Sequence, residues 1–383
     1  MSGDAVLIAA FSGRSLAQSA RRAGYRPFVV DAFGDLDTRE AAEDIRVIGG
    51  AMQTGFRTKP VIAALEDLYS VAGSKPVGLI LGSGFEDKPR LVAALASRFQ
   101  LLGADADTYR ACKDPRSFFD LLDELEIAHP ETRPDPPVQP EGWISKRIGG
   151  SGGRHIRICT QHNRAKSRRY FQRLVTGERL SISTYFTKRR EYHLHWTRQW
   201  TAPSVEHPFR FGGAVSNPLV DPELGEDLET AVLALGTTLK LRGLASFDAV
   251  VGETEAYLLE VNPRPGASLD VLDDESGILF RQHIAAFLER PVSSSGMSAA
   301  LMKRPNRPAR AMAILHADRG DLTLGDTRWP EWSADRGTPG SFVPRGAPLA
   351  TVFATGPTAD AAEALARTRL AELEDLIYGH AKL

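Results

Sequence analysis

At 383 residues, with 42% apolar and 25% charged side chains, the chain has the composition of a soluble globular protein of two or three domains, which excludes disorder as its main state. Lys plus Arg number 47 against 48 Asp plus Glu, so bulk charge gives no general affinity for nucleic acid or an acidic membrane, and any anion site must be local. The two cysteines, Cys112 and Cys159, are too few for a disulfide framework, and the first apolar run, Val6 to Phe11, is too short for a signal segment or a membrane span; the expectation is a soluble cytoplasmic protein.

The opening alternates strand and helix signals. Val6 to Phe11 reads as a strand, Ser12-Gly13-Arg14 as a turn, Ser15 onward as a helix closed by Gly24, and Phe28 to Val30 as a second strand. Ile45 to Ile48, a helical Lys59 to Ala72, Val77 to Leu81 and a helical Pro89 to Arg98 continue the pattern, which predicts an open parallel sheet. Such sheets bind ligands beyond the carboxyl ends of their strands, which singles out Ser12, Gly13 and Arg14, Asp31, and the stretch Ser83, Gly84 to Glu86. Neither Ser12-Gly13-Arg14 nor Gly82-Ser83-Gly84 completes a dinucleotide fingerprint, and no phosphate-binding G-x-x-x-x-G-K-[ST] loop occurs, so a nucleotide would need a different apparatus. After Lys113, the pair Asp114-Pro115 predicts a helix cap and first turn, and five prolines between Pro130 and Pro140 predict a connector.

Trp143 to Cys159 reads as two strands joined by Gly149, Gly150, Ser151, Gly152 and Gly153. Centring the hairpin on Ser151 puts Ile144, Ile148, Ile156 and Ile158 on one face with Lys146 among them. A lysine on an apolar face wants an anion, and glycines let backbone amides approach phosphate. Gly149, Ser151 and Gly153 also match a hydrolase G-x-S-x-G elbow, but Arg154 to Cys159 is strand-like where that elbow needs a helix. Residues 146 to 190 hold 13 Lys or Arg against one acid, Glu178, which suits a polyphosphate cradle, a solvated basic face or a nucleic-acid groove. His193 and His195 alternate on one strand face without further partners at zinc-ligand spacing.

Ser246 to Val251 and Tyr257 to Asn262 read as paired strands around a polar turn. A turn centred on Thr254 sets Asp248 opposite Glu260, with Asn262 on the same face. Opposed carboxylates repel unless a cation lies between them, and Asp, Glu and Asn are hard oxygen donors suited to Mg2+. Beyond Pro291 to Pro308 and its Ser293 to Gly296 run, short strand signals at Ala311 to His316 and Leu349 to Phe353 and an amphipathic stretch from Asp360 to Ile377 predict a small tail.

A lysine before a helix, a second lysine entering a glycine hairpin, and Asp followed by Glu-x-Asn-x-Arg on paired strands together resemble the ATP-grasp superfamily. The resemblance implies an α/β and α+β chain: a preATP-grasp open parallel sheet over residues 1–108, a two-subdomain ATP-grasp clamp over 109–293, and a small C-terminal β-rich domain with a closing helix over 294–383, similar to that of the biotin-carboxylase branch. It implies ATP held by Lys113, Lys146, the glycine loop and Glu178, and Mg2+ held by Asp248, Glu260 and Asn262. Arg264 would face the reacting group. The segment Gln172 to Glu178 offers only Glu178 where the family often uses acids near adenine and ribose. The implied activity is a carboxylate-amine ligase acting through an acylphosphate, with small-molecule carboxylate and amine substrates and compatible with a homodimer. Lys113-Asp114-Pro115 and Ser12-Gly13-Arg14 further resemble ATP-grasp proteins of one-carbon coenzyme pathways of the methanofuran and tetrahydromethanopterin type. The alternatives are a bicarbonate-activating carboxylase, which would lack a Met-Lys-Met carrier motif here, and a non-catalytic nucleotide-binding module.

Overall fold

The computed structural model describes residues 3–161, 168–187, 194–288 and 308–379. The chain opens with β1 (Ala5–Ala9), α1 (Arg14–Arg22), β2 (Arg26–Asp31), α2 (Leu36–Ala41), β3 (Asp44–Val47), α3 (Ala51–Thr54), α4 (Thr58–Val71), β4 (Leu79–Leu81) and α5 (Pro89–Ala96). The strands form the expected parallel sheet in the order β3-β2-β1-β4. Strand β1 is buried throughout, and its alternation divides it between two cores: Leu7 and Ala9 pack with Leu65 and Phe85, Val6 and Ile8 with Leu16 and Ala20. The short helices α2 and α3 lack the apolar period that marks the others. Asp35 caps α2 by accepting from the Thr38 amide. The first turn is closed by its own side chains, because the Gly13 amide donates to Asp31 Oδ2 at 2.7 Å.

Two helices, α6 (Ala106–Lys113) and α7 (Pro115–Glu124), lead into the second region. Asp114 caps α7 by accepting from the Ser117 amide, with Pro115 at the first position. A small sheet follows, of β5 (Thr132–Arg133), β6 (Trp143–Arg147), β7 (Arg157–Ile158) and β8 (Arg169–Arg173), in the order β5-β8-β6-β7. Ile144 pairs with Ile158, so the hairpin is centred on Ser151 as its alternation predicts. The isoleucine face does not form, however. Strand β7 is a two-residue edge strand whose Ile158 is 58% exposed, Ile148 and Ile156 are half-buried, and the inner neighbour of β6 is β8. Lys146 is buried instead against polar groups contributed by β8 and the large sheet.

That large sheet contains β9 (Glu178–Phe186), β10 (His195–Thr201), β11 (Phe211–Ser216), β12 (Gly243–Val251) and β13 (Ala256–Asn262), with α8 (Pro222–Thr238) crossing between β11 and β12. One face carries Ile182, Phe186, Ala245, Phe247, Ala249, Leu258 and Val261, packed on α7 and α8; the other carries the polar residues of the site. Helices α9 (Leu269–Leu272) and α10 (Ile278–Leu288) return to the first sheet, where Leu279, Phe280 and Ile284 cover Val6, Ile8 and Ile80. The tail comprises β14 (Ala309–His316), β15 (Leu322–Thr323), β16 (Ser333–Ala334), β17 (Phe342–Val343), β18 (Pro348–Gly356) and α11 (Ala359–Gly379). Its strands are not a separate sheet. Strand β14 pairs with β11 (Gly213 with Ala313), and the order runs β13-β12-β9-β10-β11-β14-β18-β16, because the open edge of β11 offers a ladder and Val215 joins the tail's core. The expected boundary at residues 293 and 294, with the Ser293 to Gly296 run, lies outside the described residues, as does His193. No described helix is long and apolar enough to cross a membrane.

One buried ion cluster ties the three regions. Arg14 donates from Nη1 and Nη2 to both oxygens of Asp270 (2.9 and 2.6 Å) and from Nε to Asp335 Oδ1 (2.7 Å), with further contacts from Nη1 to Gln18 and Nη2 to Asp335 Oδ2. All five of its N–H donors are used. Removing the arginine would leave buried carboxylates uncompensated, so Arg14→Met is expected to destabilise the protein by about 3 to 5 kcal/mol, read from the urea midpoint.

Candidate active site

The register of β12 and β13 sets Ser246 opposite Asn262, Phe247 opposite Val261 and Asp248 opposite Glu260; a bulge beside Leu259 then shifts the pairing to Ala249 with Leu258. Asp248, Glu260 and Asn262 therefore share the polar face, as their spacing predicts. Asn262 Nδ2 donates to Asp248 Oδ2 (3.1 Å) and to Glu260 Oε1 (3.3 Å), which places N–H groups between the two carboxylates. Asp248 Oδ1 is buried without a hydrogen-bond partner among the described residues. An orphaned carboxylate oxygen beside a second carboxylate is a fitting pair of donors for Mg2+. Asn262 currently turns its oxygen to Lys113, so Asp248 and Glu260 are the donors presented in this state. Ser181, on β9 opposite Asp248, adds a buried hydroxyl to the same face.

Burial, and then the neighbouring Glu260, push the Asp248 carboxyl up to about 7. Burial acts to raise Glu260 as well, but Lys113 and Lys146 outweigh it and hold that group below its ordinary range. Lys113 Nζ donates to Asn262 Oδ1 at 2.8 Å and lies 3.9 Å from Glu260 Oε2. Lys146, 5% exposed, donates to Gln172 Oε1 at 2.8 Å, and Gln172 is itself held by Thr132 Oγ1. Burial lowers the Lys146 pKa against the pull of Glu260 and Asp248. Two lysines thus converge on the carboxylates from different elements, the end of α6 and strand β6.

Beyond β13, Arg264 is buried and pairs with Glu86: Nε at 2.7 Å and Nη2 at 2.6 Å from Oε1. Glu86 Oε2 accepts from the Gly84 amide at 2.7 Å. Burial acts to raise the Glu86 pKa, but Arg264 and Lys113 bring it below its ordinary value. The Ser83 to Glu86 turn of the first sheet is thereby joined to Arg264, and the Ser83 carbonyl accepts from the Phe11 amide. The Ser12 to Arg14 turn has no such opening. Ser12 Oγ lies 3.5 Å from Asp335, Gly13 faces Asp31, and Arg14 has no donor left for a substrate, which corrects its assignment as a substrate contact.

The glycine loop packs on Asp87 and on the Phe209 to Phe211 segment, and His155 just beyond it lies near Glu260 and Lys146. Gly149 and Gly153 have φ of 67° and 71°; a Cβ on Gly149 would meet Asp87 at 2.7 to 2.9 Å, and one on Gly153 would collide with the Phe209 carbonyl. Gly152 O accepts from the Phe211 amide, and Arg168 reaches Asp87 at 3.1 Å. The ring of His155 lies against Gly150, and burial lowers its pKa to about 4. Ser151 is half-buried at the loop's apex. Glu178 does not join the site. It points to the opposite face of β9, toward Arg198 at 3.5 Å, away from the carboxylates. Sequence reasoning missed Gln172, His155, Ser181 and Arg179; only the last two carry a signal, the odd-numbered alternation Arg179, Ser181, Ser183 at the start of a strand.

A carboxyl whose native pKa is raised binds a proton that the unfolded chain has lost. Asp248 therefore contributes stability below about pH 4, its ordinary value being 3.8, and that contribution is lost as pH rises through about 7. In urea titrations of the metal-free protein, Asp248→Asn should lack this loss, so its advantage over wild type should widen from pH 5 to pH 8.

Residues 112–268 match the sequence profile described as the ATP-grasp domain. The carbamoyl phosphate synthase large chain of Vibrio vulnificus (strain CMCP6) is 25% identical over 238 residues, 56% of this chain; the chain covers 22% of that relative's length. Among solved structures, an L-amino acid ligase from Bacillus licheniformis superposes with a TM-score of 0.68 at 13% identity, covering 98% of each chain. The biotin carboxylase domain of the Hydrogenobacter thermophilus 2-oxoglutarate carboxylase, crystallised as a dimer with MgADP, ADP and bicarbonate, gives 0.69 at 10% identity, covering 96% of this chain and 89% of the other. Residues 112–268 thus carry a match to the ATP-grasp domain, and the chain as a whole shares the fold of these solved structures.

Proposed function

We propose that the chain is an ATP- and Mg2+-dependent ligase that joins a carboxylate to an amine through an acylphosphate. The observation that carries this reading is the convergence of Asp248 and Glu260 with Lys113 and Lys146 on one sheet face, next to an arginine held by Glu86. Asp248 and Glu260 would hold Mg2+, which would supply positive charge against the phosphates of the nucleotide. Lys113 and Lys146 neutralise phosphate oxygens, and the glycine loop excludes water that would hydrolyse the acylphosphate. Arg264 meets the charge that develops as the substrate carboxylate takes the γ-phosphoryl group and then as the amine expels phosphate, with Glu86 fixing the guanidinium plane. No protein nucleophile is needed. Ser83, Gly84 and Glu86, at the mouth of the first sheet and tied to Arg264, are the substrate side of the site. The substrates in this reading are those of a cytoplasmic coenzyme pathway that attaches an amino acid, of the methanofuran or tetrahydromethanopterin type.

A second reading, in which bicarbonate is the carboxylate, is favoured by the match to a carbamoyl phosphate synthase and by the biotin carboxylase structure. Both readings predict ADP release that Glu260→Gln abolishes. The ligase needs an organic carboxylate, and hydroxylamine should trap the acylphosphate as a hydroxamate when the amine is withheld; ADP release that depends on bicarbonate alone would decide for the carboxylase, and none with any carboxylate would refute both. Arg264→Lys keeps a charge on Glu86 but loses the fork, and is expected to lower kcat about 100-fold to 1000-fold with ADP affinity little changed.

A further inference from the structure

Arg179 is a cation that the site described above does not use. Strand β9 places it opposite Val250 of β12 and Gln199 of β10, two residues along from Ser181, which faces Asp248. It therefore lies on the face of the metal carboxylates, about 7 Å along the strand from their row at roughly 3.4 Å per residue. Arg264 follows Asn262 and leaves that row in the opposite direction. The two arginines flank the carboxylates from opposite ends.

No ion pair or hydrogen bond from the Arg179 side chain is found among the described residues; its guanidinium lies 5.7 Å from the ring centroid of Phe209, the residue on which the glycine loop closes. Half-burial lowers its pKa, and it is near enough to Lys146 to lower that pKa too. Lys146 shares Glu260 with Lys113 and makes one hydrogen bond, to the Gln172 amide, whereas half-buried Arg179 has no acid beside it. Glu178, the nearest acid in sequence, is turned to Arg198 on the other face.

We infer that Arg179 binds the α-phosphate of the nucleotide, the third phosphate of a chain whose γ-phosphate meets Arg264 and whose β-phosphate lies over Asp248 and Glu260. The inference rests on the ATP-dependent reading. A triphosphate laid along the face from Arg264 extends past the carboxylates toward Arg179, whose guanidinium lies over the Phe209 ring with its N–H fork free to take phosphate oxygens. Mg2+ neutralises the outer two phosphates, so the innermost would otherwise depend on Lys146 alone.

Binding of ADP, AMP and adenosine, measured by calorimetry on wild type, Arg179→Gln, Arg179→Lys and Lys146→Met, tests this. Arg179→Gln should weaken ADP and AMP about 10-fold to 100-fold and leave adenosine within about twofold, with Arg179→Lys in between because charge is kept and the fork is lost. Equal ADP affinity in wild type and Arg179→Gln, with ADP binding lost in Lys146→Met, would overturn the inference and leave the nucleotide reading standing. A loss for adenosine as large as that for ADP would also overturn it, since Arg179 would then act on the nucleoside. If wild type binds none of the three, the ATP-dependent reading falls and this inference with it.

Discussion

Two carboxylates held directly opposite each other on neighbouring strands set the terms for the whole site. Asp248 and Glu260 repel, and the protein answers on one side with the Asn262 amide and on the other with two lysines brought from α6 and β6. Each lysine in turn depends on a separate piece of architecture: a helix that ends at Lys113 because Asp114-Pro115 starts another, and a lid sheet whose Gln172 fixes Lys146. The apolar face of the same strands, Phe247, Ala249, Leu258 and Val261 on α7 and α8, keeps the register from slipping. A shift of one residue would send both acids into that core.

The same logic explains why the cations around the paired carboxylates differ in character. Arg264 is neutralised in place by Glu86, so its geometry is set before any substrate arrives. Lys146 and Arg179 are not neutralised in this way, and they stand where a polyanion would. The face thus runs from a pre-organised end at Arg264 to an end that gains its counter-charge from the ligand.

Much of this was legible in the sequence wherever the determining interaction is local. The parallel opening follows from the alternation of Val6 to Phe11 with amphipathic stretches; the Asp248 to Glu260 pairing that a turn centred on Thr254 predicts is reached only through the bulge beside Leu259, since the register next to the turn alone would set Asp248 opposite Leu259. Lys113 was legible because a proline fixes the helix start beside it. The failures share a cause. Glu178 and Arg179 are neighbours in sequence on opposite faces, and which face meets the carboxylates is decided by the pairing of β9 with β12, some 65 residues away in the chain. Arg14 looked available because Asp270 and Asp335, its partners, are contributed by distant regions. The isoleucine face around Lys146 failed because β8, not β7, became the inner neighbour of β6.

Helix α10 carries a consequence for how the chain can be divided. One face of the first sheet is covered in part by Leu279, Phe280 and Ile284, residues that follow the Asp248 and Glu260 strands in sequence. Cut at residue 108, the opening region would keep α1 over this face but lose the cover that α10 gives Val6, Ile8 and Ile80, leaving part of the apolar face of a parallel sheet open to water. The first region is therefore not a module that can be exchanged to alter substrate choice. A graft that carries the Ser83 to Glu86 turn must also carry α10, and with it the return path from Arg264, so the Glu86 and Arg264 halves of their ion pair are inherited as one piece.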